Sequence, residues 1–390
     1  MTASDMPGPL DGVRVLDFTN MLSGPYCTRL LADLGAEVIK VEPPDGDHNR
    51  HRRPVRNGHS SFFGHLNAGK RSVVLDLKTP AGLAAARALA VQCEVVVENW
   101  RPGVADRLGV GWGTLSEGRC DLVYCSISGF GQEGPLAQRP AYAPILHAAS
   151  GFDLAQVQYQ GADRPPKSAT FVADVFGGMS AFAGIQSALY RRATTGRGQY
   201  VDVSLLDGML NLLMNEAQEW QAPTGEPLRL YEPLRTRDGF IIVAPTSQRN
   251  FEHLARALGH PEWITDPLFA ATRVRESNWS RLMRLIEAWS KDLTSAACED
   301  LLVRHGVPCT RYSTVAEAMT SEQVRARGAV SEVEDPAGPY LVPNIPFRMP
   351  GLQTHARSRV AGLGEDGAAV LGELLGYDAA QVAACAAAGR

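Results

Sequence analysis

Short apolar runs alternate with amphipathic stretches through the first half of the chain. VRVLDF (13–18) reads as a strand, GPYCTRLLADLG (24–35) as a helix stopped by Gly35, and EVIKVE (37–42) as the next strand. That order is a β-α-β unit, the start of a parallel sheet with helices packed on it. SVVLDL (72–77) follows, then a helix over TPAGLAAARALAVQ (79–92) with Thr79 as cap and Pro80 at the first helical position. CEVVVEN (93–99), helical GVADRLG (103–109) and LVYCSIS (122–128) continue the alternation. A long helix and the turn TTGRGQ lead into a strand over YVDVSLLD (200–207). Residues 1–205 are therefore expected to form one α/β layer domain.

The pattern changes beyond EWQAPTGEP. RTRDGFIIVAP (235–245) predicts a hairpin turning at Asp238-Gly239, and QRNFEHLARALG, SRLMRLIEAWSK and SAACEDLLVRHG predict amphipathic helices. We read 206–224 as a linker, 225–325 as a smaller α+β domain, and 326–390 as a linker and C-terminal segment. That last segment, a VSEVED…YLVPN hairpin and a GAAVLGELLG helix, has too few apolar residues to stand alone and should return to the large domain.

Composition changes this picture little. The 390 residues are 45% apolar and 21% charged with a net charge of −4, which signals neither a nucleic-acid groove nor a disordered acidic tail. Apolar stretches are interrupted before membrane-span length, and MTASDMPGPLDG lacks a secretion-signal pattern. The seven cysteines include no CxxC pair and read as reduced thiols. The expectation is a cytoplasmic globular protein with no membrane or nucleic-acid partner.

Several motifs invite chemistry. GFGQEG (129–134) is a literal G-x-G-x-x-G after a strand, but Pro135 and the irregular LAQRPAYAP leave no helix to hold a dinucleotide pyrophosphate. No Cys/His cluster suggests a metal, and His147 on an apolar stretch reads as a packed residue. Basic residues gather in three loops at strand ends: Arg50, Arg52, Arg53 and Arg56 in 45–60, Lys70 and Arg71 in LNAGKRS, and Arg101 and Arg107 beside Asn99 and Trp100 in ENWRPGVADRLG. One such loop is ordinarily solvated; three at equivalent strand ends suit a large polyanion with an aromatic base.

Asp174 lies in TFVADVFGGMSAFAGIQSALYRR (170–192), after an apolar run and before Gly177 and Gly178. A lone Asp at a helix start is by default a cap. Glycines in the first turn cost about 1 kcal/mol each relative to alanine. They suit a helix whose backbone something large must approach, beside a carboxylate able to act as a nucleophile.

At these residues the chain resembles family III CoA-transferases, the group with formyl-CoA:oxalate and carnitine CoA-transferases and 2-methylacyl-CoA racemases. The resemblance runs through LDGVRVLDFT…SGPYCTRLLADLGAEVIKVEPPDGD, NAGKRSVVLDLKTPAG, VVENWRPGVADRLGVGW, CSISGFGQEGP, ATFVADVFGGM…TTGRGQYVDVSLLDGML and HGVPCTRYSTVAEAMTSEQVRARG. It implies a Rossmann-like large domain, a small domain and an interlocked homodimer. It puts the nucleophile on Asp174 and CoA contacts on Asn67, Lys70, Asn99, Arg101, Arg107 and Tyr142. Acyl-CoA and a free carboxylic acid would be substrates, with no metal and no tightly bound cofactor. Departures bear on the acid: Leu22 stands where oxalate-acting relatives carry glutamine, WQAPTGEPLRLYEP has no glycine-rich loop, and Ala143 replaces an acid after Tyr142. These point away from oxalate toward a longer dicarboxylic or branched acid. The alternatives are a racemase, whose second base, a histidine, would be replaced by Tyr142, and an acyl-CoA-binding protein without catalysis.

Overall fold

The computed structural model describes residues 7–223, 225 and 230–387. These divide into two compact units, 1–217 with 323–390, and 218–322. In the first unit, β1 (Arg14–Asp17), β2 (Glu37–Glu42), β3 (Arg71–Val74), β4 (Val95–Glu98), β5 (Val123–Ser128) and β6 (Gln199–Ser204) form one six-stranded sheet. All pairings are parallel, in the order β3-β2-β1-β4-β5-β6. This is the doubly wound order of a Rossmann-like fold, with its switch point between β1 and β4.

Both faces are covered, so the strands are apolar on both sides. Val15, Val38, Val95, Val97 and Cys125 face one core with Leu30, Leu31 and Ile185. Leu16, Ile39, Val73, Val96 and Tyr124 face the other with Leu89, Val370 and Leu371. Helix α1 (Ser23–Asp33) ends where Gly35, at φ +102°, turns the chain into β2. Helix α2 (Ser61–Asn67) precedes β3, and α3 (Pro80–Val91) starts with the Thr79 hydroxyl accepting the Gly82 amide at 3.1 Å. GVADRLG supplies only a single turn, α4 (Val104–Arg107).

Several strands are shorter than the apolar pattern predicts, and in two of them a side-chain cap accounts for the early end. β3 stops at Val74, and the Asp76 carboxylate accepts the Lys78 amide in a turn, so residues 75–78 form a rim instead of a strand end. β6 stops at Ser204, whose hydroxyl accepts the Asp207 amide and starts another helix (Leu205–Leu212). Hydroxyl capping outcompetes strand pairing there.

The C-terminal hairpin pairs Val330–Asp335 with Gly338–Pro343, and helices Gly367–Leu375 and Ala379–Ala386 add Val370, Leu371 and Cys385 to the first unit's core. In the second unit Leu234–Arg235, Phe240–Val243 and Cys309–Arg311 make an antiparallel sheet. Its helices bury Phe251, Leu282, Ile286 and Leu302 against that sheet. Positions 224 and 226–229 of the segment expected to lack a glycine-rich loop lie outside the described residues. One described helix, Val172–Thr195, is long and apolar enough to cross a membrane by length and composition, which the sequence pattern had not suggested. In the first unit its Ala181, Ile185 and Ala188 are core residues.

Candidate active site

The long helix Val172–Thr195 places Asp174. Its N-cap is Phe171, so Asp174 sits inside the first turn and does not cap the helix as an isolated Asp would. The backbone N–H of Ala173 is taken by the imidazole of His147, whose Nε2 accepts it at 3.2 Å. His147 is buried, as a packed histidine should be, and it is also part of the support beneath Asp174.

Gly177 and Gly178 do admit a close approach, but by the protein's own chain. A Cβ at Gly177 would overlap the Leu205 side chain, and one at Gly178 would lie 2.7 Å from the Ser23 carbonyl oxygen. The expectation that they clear space for a ligand is replaced by helix packing. That packing brings Ser23, the first residue of α1, to Asp174, so two helix N-termini converge on one carboxyl group. Burial raises the Asp174 carboxyl to about 6, against the opposing pull of Arg52, the Ser23 hydroxyl and the Ser23 amide.

A second feature opens at the sheet's switch point. A cavity of about 220 Å³ is lined by Phe18, Thr19 and Asn20 after β1, Pro43, Gly46, Asp47 and His48 after β2, Leu75 to Lys78 after β3, and Trp100 and Leu108 after β4. Open α/β sheets bind ligands at this place. The Phe18 and Trp100 rings lie 5.7 Å apart on its wall. The Asn99 side-chain amide is engaged with the Asn20 backbone, accepting its N–H at 2.9 Å and donating to its C=O at 2.7 Å. Asn99 thereby ties the two loops across the crevice. Arg101 and Arg107 are exposed beside it, and so is Lys78, a lone basic residue between SVVLDL and the Thr79 cap that no cluster of charges marks in the sequence.

The other basic loops are mostly neutralised within the protein. Lys70 is buried, with its ammonium donating to Asp17 (3.0 Å), Thr28 (2.7 Å), the Pro25 carbonyl (3.0 Å) and Asn67 (2.8 Å). Asn67 is equally buried and donates to the Phe63 carbonyl at 2.9 Å. Burial alone would push the Asp17 carboxyl up, yet Lys70, Lys40 and two threonine hydroxyls hold it below the ordinary carboxylate range. Arg71 is paired with Glu37 and Glu373, Arg50 with Glu42, and Arg56 with Asp335. The picture of three open cationic loops narrows to the loop after β4 and to Arg52 and Arg53. The remaining expected contact, Tyr142, precedes the helix Ala143–Ser150 and is 64% exposed. Among the described residues no cluster of His, Cys, Asp and Glu could hold a metal ion.

The family model described as CoA-transferase family III matches residues 10–367. Acetyl-CoA:oxalate CoA-transferase of Acetobacter aceti is 35% identical, covering 97% of this chain and 99% of that one. Succinate–glutarate CoA-transferase of Agrobacterium fabrum is 33% identical, covering 95% and 98%. A crystal structure of a CAIB/BAIF family protein from Brucella suis superposes with a TM-score of 0.82 at 34% identity, covering 94% and 100%. The chain belongs to CoA-transferase family III and is a CoA-transferase acting on CoA thioesters.

Proposed function

We propose that this family III enzyme moves CoA from an acyl-CoA to a free carboxylic acid through covalent intermediates on Asp174. The observation that carries this is the placement of Asp174 in the first turn of its helix, half-buried, facing Ser23 at the start of α1. At neutral pH a carboxyl raised to about 6 is ionised yet more basic than a solvated aspartate, which suits a nucleophile.

The carboxylate attacks the donor thioester carbonyl and CoA thiolate leaves, forming a mixed anhydride. The thiolate then attacks the aspartyl carbonyl, giving an aspartyl-CoA thioester and releasing the donor acid. The acceptor carboxylate attacks that thioester, again expelling thiolate, and the thiolate finally takes the acceptor acyl group from the second anhydride. Free carboxylate is restored on Asp174. Each tetrahedral intermediate carries a negative oxygen, and the Ser23 donors with the paired helix N-termini favour that charge.

In this reading the CoA nucleotide occupies the switch-point crevice. The Phe18 and Trp100 rings and Leu75, Leu77 and Leu108 suit its base, and Lys78, Arg101 and Arg107 suit its phosphates. Asn67, Lys70 and Asn99 would act mainly by holding the surrounding loops, and Tyr142 would border the pantetheine arm. The racemase alternative needs a free second base, and the imidazole beside the helix start has its Nε2 occupied by Ala173. An interlocked homodimer, as in the family, would cover Leu154, Tyr190 and Met214, which are 65%, 73% and 72% exposed in the single chain.

Mixing the enzyme with acyl-CoA and mapping the adduct by mass spectrometry tests the mechanism. A mass increase on the peptide containing Asp174, absent in Asp174→Ala, is expected. Exchange at the wild-type rate by Asp174→Ala would overturn it.

A further inference from the structure

Arg52 differs from its neighbours. Arg50 and Arg56 are bonded to carboxylates, and Arg53 is exposed. Arg52 is half-buried, and among the described residues its guanidinium has neither a hydrogen bond nor an ion pair. It is held instead by rings. Its Cζ lies 4.2 Å from the Phe62 ring centroid and 4.8 Å from that of Phe171. Phe171 is the N-cap of the helix that carries Asp174, so the same element anchors both side chains.

Ring contacts occupy a guanidinium's π surface and leave its N–H edge, with five donors, free for an anion. Phe62 and Phe171 also restrict the side chain, so little conformational freedom remains to be lost on binding. A partly desolvated guanidinium without an anion is unfavourable, and a bound carboxylate would relieve it.

The obvious internal partner is Asp174, whose carboxyl feels the Arg52 charge. Yet the two are not within the 4.0 Å of an ion pair. The carboxylate that reacts and the unpaired cation therefore lie near each other without bonding. The acyl part of the donor and the acceptor acid must each reach Asp174, so both come beside Arg52 in turn. A short acid with a carboxylate at each end would place one carboxylate at Asp174 and the other on the Arg52 edge. A monocarboxylic acid of equal length would put an alkyl end against an unsatisfied guanidinium.

We propose that Arg52 is the anchor for the second carboxylate of a dicarboxylic acyl group bound at Asp174, and so selects dicarboxylic over monocarboxylic substrates. This rests on Asp174 as the reacting carboxylate.

The test uses the full-length enzyme with succinyl-CoA as donor and length-matched acceptors, glutarate against pentanoate and adipate against hexanoate. The wild type should favour the dicarboxylic member by about 10–100-fold in kcat/KM, the range expected for one charge-assisted contact. In Arg52→Gln that ratio should collapse toward unity, with Arg52→Lys between them. Phe62→Leu, which loosens the guanidinium without removing it, should also lower the ratio and serves if Arg52→Gln folds poorly. A preference for monocarboxylic acids in the wild type overturns the proposal. So does an unchanged ratio in these variants. Equal losses for both acceptors with a shifted pH profile would mean that Arg52 acts only on the charge of Asp174, and would also overturn it. The Asp174 adduct separates the two readings. An adduct with an unchanged ratio sinks the Arg52 assignment alone, whereas exchange without any adduct sinks the mechanism beneath it.

Discussion

His147 Nε2 accepts the backbone amide of Ala173, the residue immediately before Asp174, at 3.2 Å. The bond satisfies one of the orphan donors of the helix start and holds the turn that carries the carboxylate. It requires an unprotonated Nε2. Burial lowers the His147 pKa, with Asp153 opposing, so the fold favours the neutral ring. Because the folded value lies below the unfolded one, the unfolded chain takes up the proton first. The stabilisation is present above about 6.5 and is lost as pH falls. His147→Ala is expected to lose about 1 kcal/mol of stability and to lower kcat more than it raises the KM for acyl-CoA. His147→Gln, which keeps an acceptor, should retain much of both and show less acid destabilisation in thermal melts across pH.

Asp174 has the opposite sign. Burial raises its folded value to about 6, above its ordinary 3.8, so the folded chain holds the proton more tightly. Its stabilising contribution is present below the ordinary value and is lost as pH rises through about 6. An ionised Asp174 at neutral pH is thus a local liability accepted for reactivity. Asp174→Asn should be inactive and more stable than wild type by about 1–3 kcal/mol near neutral pH, a gain that shrinks on acidification. In the wild type kcat/KM for the donor should fall on the acid side with a midpoint near the same pH. A denaturant titration in which Asp174→Asn is the less stable protein would contradict this account.

The exposed cations around the crevice make a prediction about binding. Alanine at Arg101, Arg107 or Lys78 should raise the KM for acyl-CoA by about tenfold, with a smaller effect on the acceptor acid. Added salt should weaken the wild type more than a double variant lacking Arg101 and Arg107, because the screened charges are then absent. Equal KM values for acyl-CoA in wild type and double variant would exclude a phosphate role.

Lys70 should behave differently. Its ammonium is bonded to Asp17 beneath the sheet's end, so Lys70→Met removes the ion-pair partner of a buried carboxylate and leaves only the more distant charge of Lys40. A loss of about 3–5 kcal/mol is expected from such a break, read as a lower denaturation midpoint. The KM for acyl-CoA of the protein that still folds should move less than in the Arg107 variant. A large KM effect with intact stability would restore Lys70 to direct CoA contact.

Much of the architecture is legible along the chain because it is set by local periodicity. The β-α alternation from VRVLDF to CSIS, the Thr79 cap, the Gly35 stop and the Asp238-Gly239 turn each depend on residues within a few positions of one another. Asp174 also stands out in sequence, since a carboxyl followed by paired glycines is an odd way to begin a long helix. Tertiary structure decided which charges are free. Lys70 and Arg107 look alike as basic residues near strand ends, but one is buried on Asp17 and the other is exposed by the crevice. Arg50 and Arg52 sit two positions apart, and one meets Glu42 while the other meets only rings. Gly178 is explained by Ser23, about 150 positions earlier. A charge's partner is fixed by what the fold brings within a few ångströms, a distance that sequence separation does not encode. The chain's local pattern therefore determined the elements and singled out the carboxylate, and only the packing of α1 and the Phe171 turn decided what surrounds it.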